Sequence, residues 1–351
     1  MSEGLNKIGL VPFFTQQLLD SSISHNQLGR VTSVQRSKWT VVCNTGEKEV
    51  ALSPTLRESA AIERPTVGDW VVLDESLVRI EKVLDRKSLF KRLGAGSSAD
   101  VQPIAANIDT LFIVTSCNEE FKESRIERYL ALCAEAGAMP VIVLTKTDLT
   151  DDTDIYVARA RSLQAGVPVE TANALDPSTL EGLRAWIDQT STVALVGSSG
   201  VGKSSLLNAL AGHSMAATSD IRQQDKKGRH TTTHRQLHLL SSGGLIIDVP
   251  GMRELRVAEV EQSLGTVFAD IEVLAQQCQF ADCNHEAEPG CAVLQAIEDG
   301  KIDSRRLANY QKLLRENAVA TATLAEKRAK GRDFAKMVKQ VKRLKDQKGS
   351  E

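Results

Sequence analysis

The stretch Gly197-Ser198-Ser199-Gly200-Val201-Gly202-Lys203-Ser204 fits Gly-x4-Gly-Lys-Ser/Thr, and its residue types suit a polyphosphate. Glycines let backbone N–H groups turn inward around phosphate oxygens, and a helix starting at the loop's end adds partial positive charge. Lys203 can reach the β- and γ-phosphates, and the Ser204 hydroxyl can ligate Mg²⁺. The flanks agree with this chemistry. Thr192-Val-Ala-Leu-Val reads as a strand before the loop, and Ser204-Ser205-Leu-Leu-Asn-Ala-Leu as a helix after it.

The loop alone does not choose between ATP and GTP. Asp248-Val-Pro-Gly251 follows an apolar run, where a metal-side Asp-x-x-Gly element is expected: Asp248 would hold Mg²⁺ through water and the Gly251 N–H would meet the γ-phosphate. Base choice points to Thr145-Lys146-Thr147-Asp148 after Pro140-Val-Ile-Val-Leu. The Asp148 carboxylate can accept from guanine N1–H and its 2-amino group, where adenine presents an acceptor at N1. A charge-assisted hydrogen bond is worth roughly 1.5–3 kcal/mol, enough to decide the base. The Lys146 stem would lie along the ring face. Thr171-Ala172-Asn173, after Val167-Pro-Val-Glu, is the candidate for a second base-side loop.

Both base elements precede the phosphate loop, whereas in an ordinary GTPase they follow it. The order implies a circular permutation, which a parallel α/β domain tolerates because its termini can lie close together. The γ-phosphate-sensing segment after Asp248 then leads into the C-terminal region, where a nucleotide-dependent shift can be passed on. That region holds Cys278-x4-Cys283-x-His285-x5-Cys291, three thiolates and an imidazole suited to one closed tetrahedral structural zinc site. Such a site can supply roughly 10–16 kcal/mol of binding energy to a segment with little core of its own. Cys43, Cys117 and Cys133 sit in apolar strand or helix contexts and read as core.

These elements need a multidomain scaffold. Residues 1–27 read as an N-terminal extension, and 28–90 as a small OB-like β-barrel of short strands with turn punctuation. Residues 91–104 read as a linker rich in Gly, Ser and Ala. Residues 105–257 read as a central α/β permuted P-loop GTPase domain with buried parallel strands, and 258–351 as a helical zinc-binding domain with a basic tail. The net charge of −2 hides an asymmetry, because residues 326–351 alone carry +6. Lys327, Arg328, Lys330, Arg332, Lys336, Lys339, Lys342, Arg343, Lys345 and Lys348 suit a sequence-independent RNA phosphate contact or a solvated charged helix. Trp39 and Trp70 are either stacking platforms for RNA or barrel core. No run approaches a membrane span, no export signal is visible, and six cysteines make no disulfide framework. A cytoplasmic protein, expected to be monomeric, follows.

Permuted order, the barrel, Lys227-Gly-Arg-His-Thr-Thr-Thr233, the Cys/His cluster, Pro65-x-Val-Gly-Asp69 and Ala105-Ala-Asn-Ile-Asp109 together resemble the ribosome small-subunit-dependent GTPases of the RsgA or YjeQ type. The resemblance runs from about Gly29 to the helices past Ser304. It implies a Mg²⁺-dependent GTPase acting late in maturation of the small ribosomal subunit, binding that subunit and its rRNA, with hydrolysis stimulated by the subunit and coupled to release. Carried onto this sequence, Gly197 to Ser205 bind phosphates and magnesium, Thr145 to Asp148 bind guanine, and Thr231 or Thr232 closes on magnesium and the γ-phosphate. The alternative is a GTP-regulated RNA-binding or stress switch without a maturation role.

The sequence departs from the family at Thr145, where Asn is usual and its amide would help bind the base and brace the phosphate loop. Thr171-Ala replaces the commoner Ser-Ala, and the N-terminal segment carries a single lysine, Lys7. Met252 stands where many GTPases place a water-orienting Gln nearby, so intrinsic turnover should be slow, on the order of 10⁻⁴–10⁻² s⁻¹. His230 beside the threonines is the candidate to orient water once docked; a contact with RNA or with solvent alone is the competing reading.

Overall fold

Runs of β-branched and aliphatic residues form thirteen strands among the residues described by this computed structural model, namely 3–19, 23–35, 38–93, 101–212, 235–248 and 260–322. Five of them close into a barrel: β1 (Leu28–Gln35), β2 (Lys38–Cys43), β3 (Gly46–Leu52), β4 (Trp70–Leu73) and β5 (Arg79–Val83). β1 pairs with β2, β2 with β3, β3 in parallel with β5, β5 with β4, and β4 returns to β1. This is the OB-like closure expected. Alternation along the strands sends Val31, Val41, Val50, Leu52, Val71, Leu73 and Ile80 inward. Trp39 and Trp70 are buried too, and Trp39 Nε1 donates to the Pro65 carbonyl at 2.9 Å. Neither ring is therefore an RNA platform.

β6 (Leu89–Leu93) and β7 (Val101–Ala106) pair as an antiparallel ribbon that takes in the ends of the stretch read as a linker. The chain then enters a parallel sheet of β8 (Thr110–Ser116), β9 (Met139–Thr145), β10 (Val169–Ala172), β11 (Thr192–Val196) and β13 (Leu245–Asp248), ordered β10-β9-β8-β11-β13. Every residue of β8 is buried, as befits a central strand covered on both faces. The helices Glu123–Ala136 and Lys203–Ala211 follow β8 and β11. The first stops at Gly137, whose left-handed φ of 78° lets its N–H return to the Ala134 carbonyl.

One antiparallel strand was not legible beforehand. β12 (Arg235–Leu239) lies between β13 and β1, pairing Gln236 with both Asp248 and Ser33. Barrel and parallel sheet are thereby one continuous eleven-stranded sheet.

The N-terminal segment is part of the core. Leu5, Ile8, Leu10, Phe14 and Leu18 are buried with Trp70, Leu111 and Leu245, and the Phe14 and Trp70 rings lie 5.6 Å apart. At the C-terminal end, the helices Glu261–Val267, Ala269–Ala275 and Ala292–Glu298 join a helix over residues 304–322, which buries Leu307, Tyr310 and Leu313. Cys43, Cys117 and Cys133 are buried free thiols. Burial pushes Cys117 up to about 11 and Cys133 higher still, so neither is a ready thiolate. No described helix is long and apolar enough to cross a membrane.

Candidate functional site

Parallel register brings the ends of four strands together. Ser116 and Ala172 both pair with Thr145, and Val196 pairs with Ile113, so the loops after β8, β9, β10 and β11 leave the same edge. The carboxyl ends of parallel strands are where ligands bind in such sheets. Here they gather the phosphate loop and both candidate base-side elements.

The phosphate loop needs its glycines. Gly197, Gly200 and Gly202 have φ of 148°, 81° and 94°, and a Cβ on Gly197 would lie 2.1 Å from the Val114 carbonyl oxygen. Gly202 precedes the helix Lys203–Ala211, so the N–H groups of its first turn point back towards the loop. Val201 is wholly buried and pins the loop to the sheet. Lys203 Nζ donates to the Ser198 carbonyl at 2.5 Å, folding the ammonium over the loop, while Ser199, Ser204 and Ser205 complete its length.

Two contacts hold this loop from outside. Thr145 Oγ1 lies 2.5 Å from the Val201 carbonyl oxygen and 3.1 Å from that of Thr115. Ser198 Oγ donates to Glu120 Oε2 at 2.9 Å, and Arg125 Nη1 reaches the same oxygen at 3.1 Å. The Ser198 hydroxyl, followed by Arg125, holds the Glu120 carboxyl below its ordinary value. Glu120 escaped the sequence reading because an acidic residue four positions beyond a strand carries no local signal.

On the base side, β9 ends at Thr145 and the chain turns sharply at Lys146, whose φ is 57°. A 3-10 turn, Thr147–Leu149, leaves Asp148 exposed at the edge. Beside it, Ala172 ends β10 and Asn173 organises the following loop. The Asn173 N–H donates to Thr179 Oγ1 at 2.9 Å, and its Oδ1 accepts from Leu175 N at 2.9 Å. On the metal side, the backbone of Asp248 closes β13, one residue past Ile247, which pairs with Ala194. His230, Thr231, Thr232, Gly251 and the basic tail lie outside the described residues.

The Cys/His cluster is assembled. His285 Nδ1 lies 3.6, 3.4 and 3.3 Å from the sulfurs of Cys278, Cys283 and Cys291, and Cys278 and Cys291 are 3.9 Å apart. All four donor atoms fall within 4.8 Å of one another. A tetrahedral zinc with Zn–S of about 2.3 Å and Zn–N of about 2.0–2.1 Å sets its ligand atoms roughly 3.5–3.8 Å apart, so the cluster fits that ion. Burial alone would raise the Cys278 thiol, but N–H groups of Ala292 and Val293 and the neighbouring thiols hold it below its ordinary value. Burial and the other two thiols push Cys283 up to about 11. One thiolate is favoured and the next resisted, a conflict that a bound dication removes. Glu288 shapes the intervening loop by accepting from the N–H groups of Asn284 and Glu286 at 2.7 and 2.8 Å.

A buried acid ties this region to the sheet. Glu127, on the helix Glu123–Ala136, is wholly buried and accepts from Arg305 Nη1 and Nη2, Arg306 Nη1 and Asn309 Nδ2 at 2.5–3.1 Å. Arg306 also binds Asp270 through two nitrogens at 2.7 and 2.8 Å. Gln311, on the same C-terminal helix, donates to the Asn284 carbonyl at 2.9 Å inside the Cys/His loop.

Comparison with known proteins agrees with this arrangement. A family model described as RsgA GTPase matches residues 83–258. An ABC transporter model also matches residues 180–343, a span that includes the phosphate loop. The chain is 47% identical to the small ribosomal subunit biogenesis GTPase RsgA 2 of Vibrio parahaemolyticus, over 97% of this chain and 93% of that protein. It is 44% identical to RsgA of Mesorhizobium japonicum over 90% of both. Among solved structures, YjeQ from Thermotoga maritima is similar with a TM-score of 0.61 and 30% identity, over 83% of this chain and 98% of that one. YloQ, described as a circularly permuted GTPase, is similar with a TM-score of 0.56 and 25% identity, over 84% and 96%. Identity of 47% sustained along nearly the whole of both chains goes far beyond a shared phosphate loop: the chain belongs to the RsgA GTPase family and is a GTP hydrolase with permuted element order.

Proposed function

We propose that this protein is a cytoplasmic GTPase that acts on the small ribosomal subunit late in its maturation. It engages the subunit and its rRNA in the GTP form, and hydrolysis stimulated by the subunit releases it. The observation that carries the nucleotide half of the reading is the contact between Thr145 and Val201, which joins the proposed base-side element to the phosphate loop. The names of the relatives, small ribosomal subunit biogenesis GTPases, support the choice of partner.

In this reading Gly197 to Ser205 hold the phosphates, with Lys203 swinging from the Ser198 carbonyl to the β- and γ-oxygens. Ser204, Asp248 and Thr231 or Thr232 hold magnesium, which neutralises charge developing on the phosphates. Asp148 reads the Watson–Crick edge of guanine, Lys146 covers the ring, and Thr171 to Asn173 close the pocket. His230 orients the attacking water once docked. The four Cys/His ligands hold zinc as a structural brace with no open position.

The deciding experiment is the GTPase rate with and without purified small subunits, together with co-sedimentation in a GTP analogue and in GDP. Stimulation with analogue-dependent co-sedimentation is expected. GTP hydrolysis without nucleotide-dependent co-sedimentation would favour an RNA-binding switch with no maturation role. Separately, His230→Ala should abolish most of the stimulation; unchanged stimulated turnover removes His230 from the mechanism.

A further inference from the structure

We infer that Thr145 makes guanine recognition in this protein blind to N7 of the base. The inference rests on the proposal above that residues 145–148 form the base-side element. Thr145 is buried, and its hydroxyl faces two backbone carbonyls, Val201 O at 2.5 Å and Thr115 O at 3.1 Å. Carbonyl oxygens only accept, and a threonine hydroxyl has a single proton to give. That proton is committed within the protein, the shorter contact taking it to the phosphate loop.

The remaining hydroxyl lone pairs offer nothing to the outer edge of guanine, because N7 and O6 are themselves acceptors. An asparagine amide carries two N–H protons, enough for one carbonyl and one base atom. Threonine supplies the first function without the second. The neighbouring loop does not replace the donor with the Asn173 backbone, whose N–H is taken by Thr179 Oγ1. Thr145 is thus a positioning residue for the phosphate loop, and selection of the base falls on its Watson–Crick edge, read by Asp148.

Calorimetric titration of the full-length protein with GDP, 7-deaza-GDP and IDP tests this. GDP and 7-deaza-GDP, which has a C–H in place of N7, should bind within about twofold of each other, whereas IDP, lacking the 2-amino group, should bind about tenfold or more weakly. Thr145→Asn should create a preference for GDP over 7-deaza-GDP of about threefold to tenfold, the worth of one neutral hydrogen bond. Thr145→Val, which removes only the hydroxyl, should weaken GDP and 7-deaza-GDP equally. A wild-type preference for GDP over 7-deaza-GDP of about fivefold or more, lost in Thr145→Val, overturns the inference. Equal binding of GDP and IDP instead overturns the assignment of residues 145–148 to the base, which is a distinct result.

Discussion

Arg30 Nη2, from a strand of the barrel, donates to Thr192 Oγ1 at 2.8 Å, at the foot of the strand that delivers the phosphate loop. The same guanidinium donates to the Ile8 carbonyl at 2.6 Å, the Gly68 carbonyl at 3.1 Å and the Asn107 carbonyl at 3.4 Å. Burial lowers its pKa to about 10 against the pull of Asp109 and Asp69, so it stays charged at neutral pH. One side chain thus joins the N-terminal segment, the barrel and the GTPase sheet. Arg30→Met would take a donor from four buried acceptors, of which the Gly68 carbonyl keeps Asn107 Nδ2, and should cost about 3–5 kcal/mol in urea unfolding of the full chain. A loss under about 1 kcal/mol would mean that the junction is held by apolar packing alone.

Glu127 invites a more local test. Glu127→Gln keeps the shape but turns N–H groups towards two guanidinium ions. The C-terminal helices should loosen by about 3 kcal/mol, because a buried charge cluster loses its acceptor. Hydrogen exchange should speed up in residues 260–322 while β8 and β11 stay protected. Uniform acceleration across the chain would contradict a coupling role for Glu127.

The strand, loop and helix around the phosphate-loop motif were legible because their signals are local. Glycine spacing, a preceding apolar strand and a following helix lie within about twenty residues, and the helix Lys203–Ala211 runs where expected. The barrel was legible as short alternating strands. The pairing of β1 with β12 was not, since it joins residues about two hundred positions apart and leaves no periodic mark on either. Arg30 and Glu127 were invisible for a related reason: a charged residue in a strand or helix reads as surface until a distant partner is known to cover it. The N-terminal segment hid its role in irregular spacing, with Leu5, Phe14 and Leu18 on very short helices and Ile8 and Leu10 in the turn between two of them.

The metal cluster yields a prediction about residues that bind no metal. Glu288→Ala frees the N–H groups of Asn284 and Glu286 on either side of His285 and should lower zinc affinity about tenfold in competition with a chromophoric chelator. Cys291→Ser should instead abolish stoichiometric zinc. Unaltered affinity in Glu288→Ala would show that the four ligands order the loop unaided.

Asp188 sets an expectation for pH. Burial would raise its carboxyl, but the N–H groups of Thr190 and Ser191 and their hydroxyls outweigh this and hold it below 3.8. Because the folded value is depressed, its contribution to stability is present above the unfolded value and is lost as pH falls through the folded one. The difference in urea midpoint between wild type and Asp188→Asn should be constant from neutral pH to about 5 and shrink below that. A carboxyl resonance titrating above 3.8 would reverse the sign.

The continuous sheet gives the barrel mechanical leverage. The stretch from Gly212 to Arg235, which carries His230, Thr231 and Thr232, is joined at its start to the helix that follows the phosphate loop. At its end it is fastened to a strand zipped against the barrel. The rungs Ser33–Gln236 and Val34–Arg235 join that strand to the barrel within one sheet. A partner that moves the barrel would on this account move one anchor of the stretch that the proposed function makes the switch.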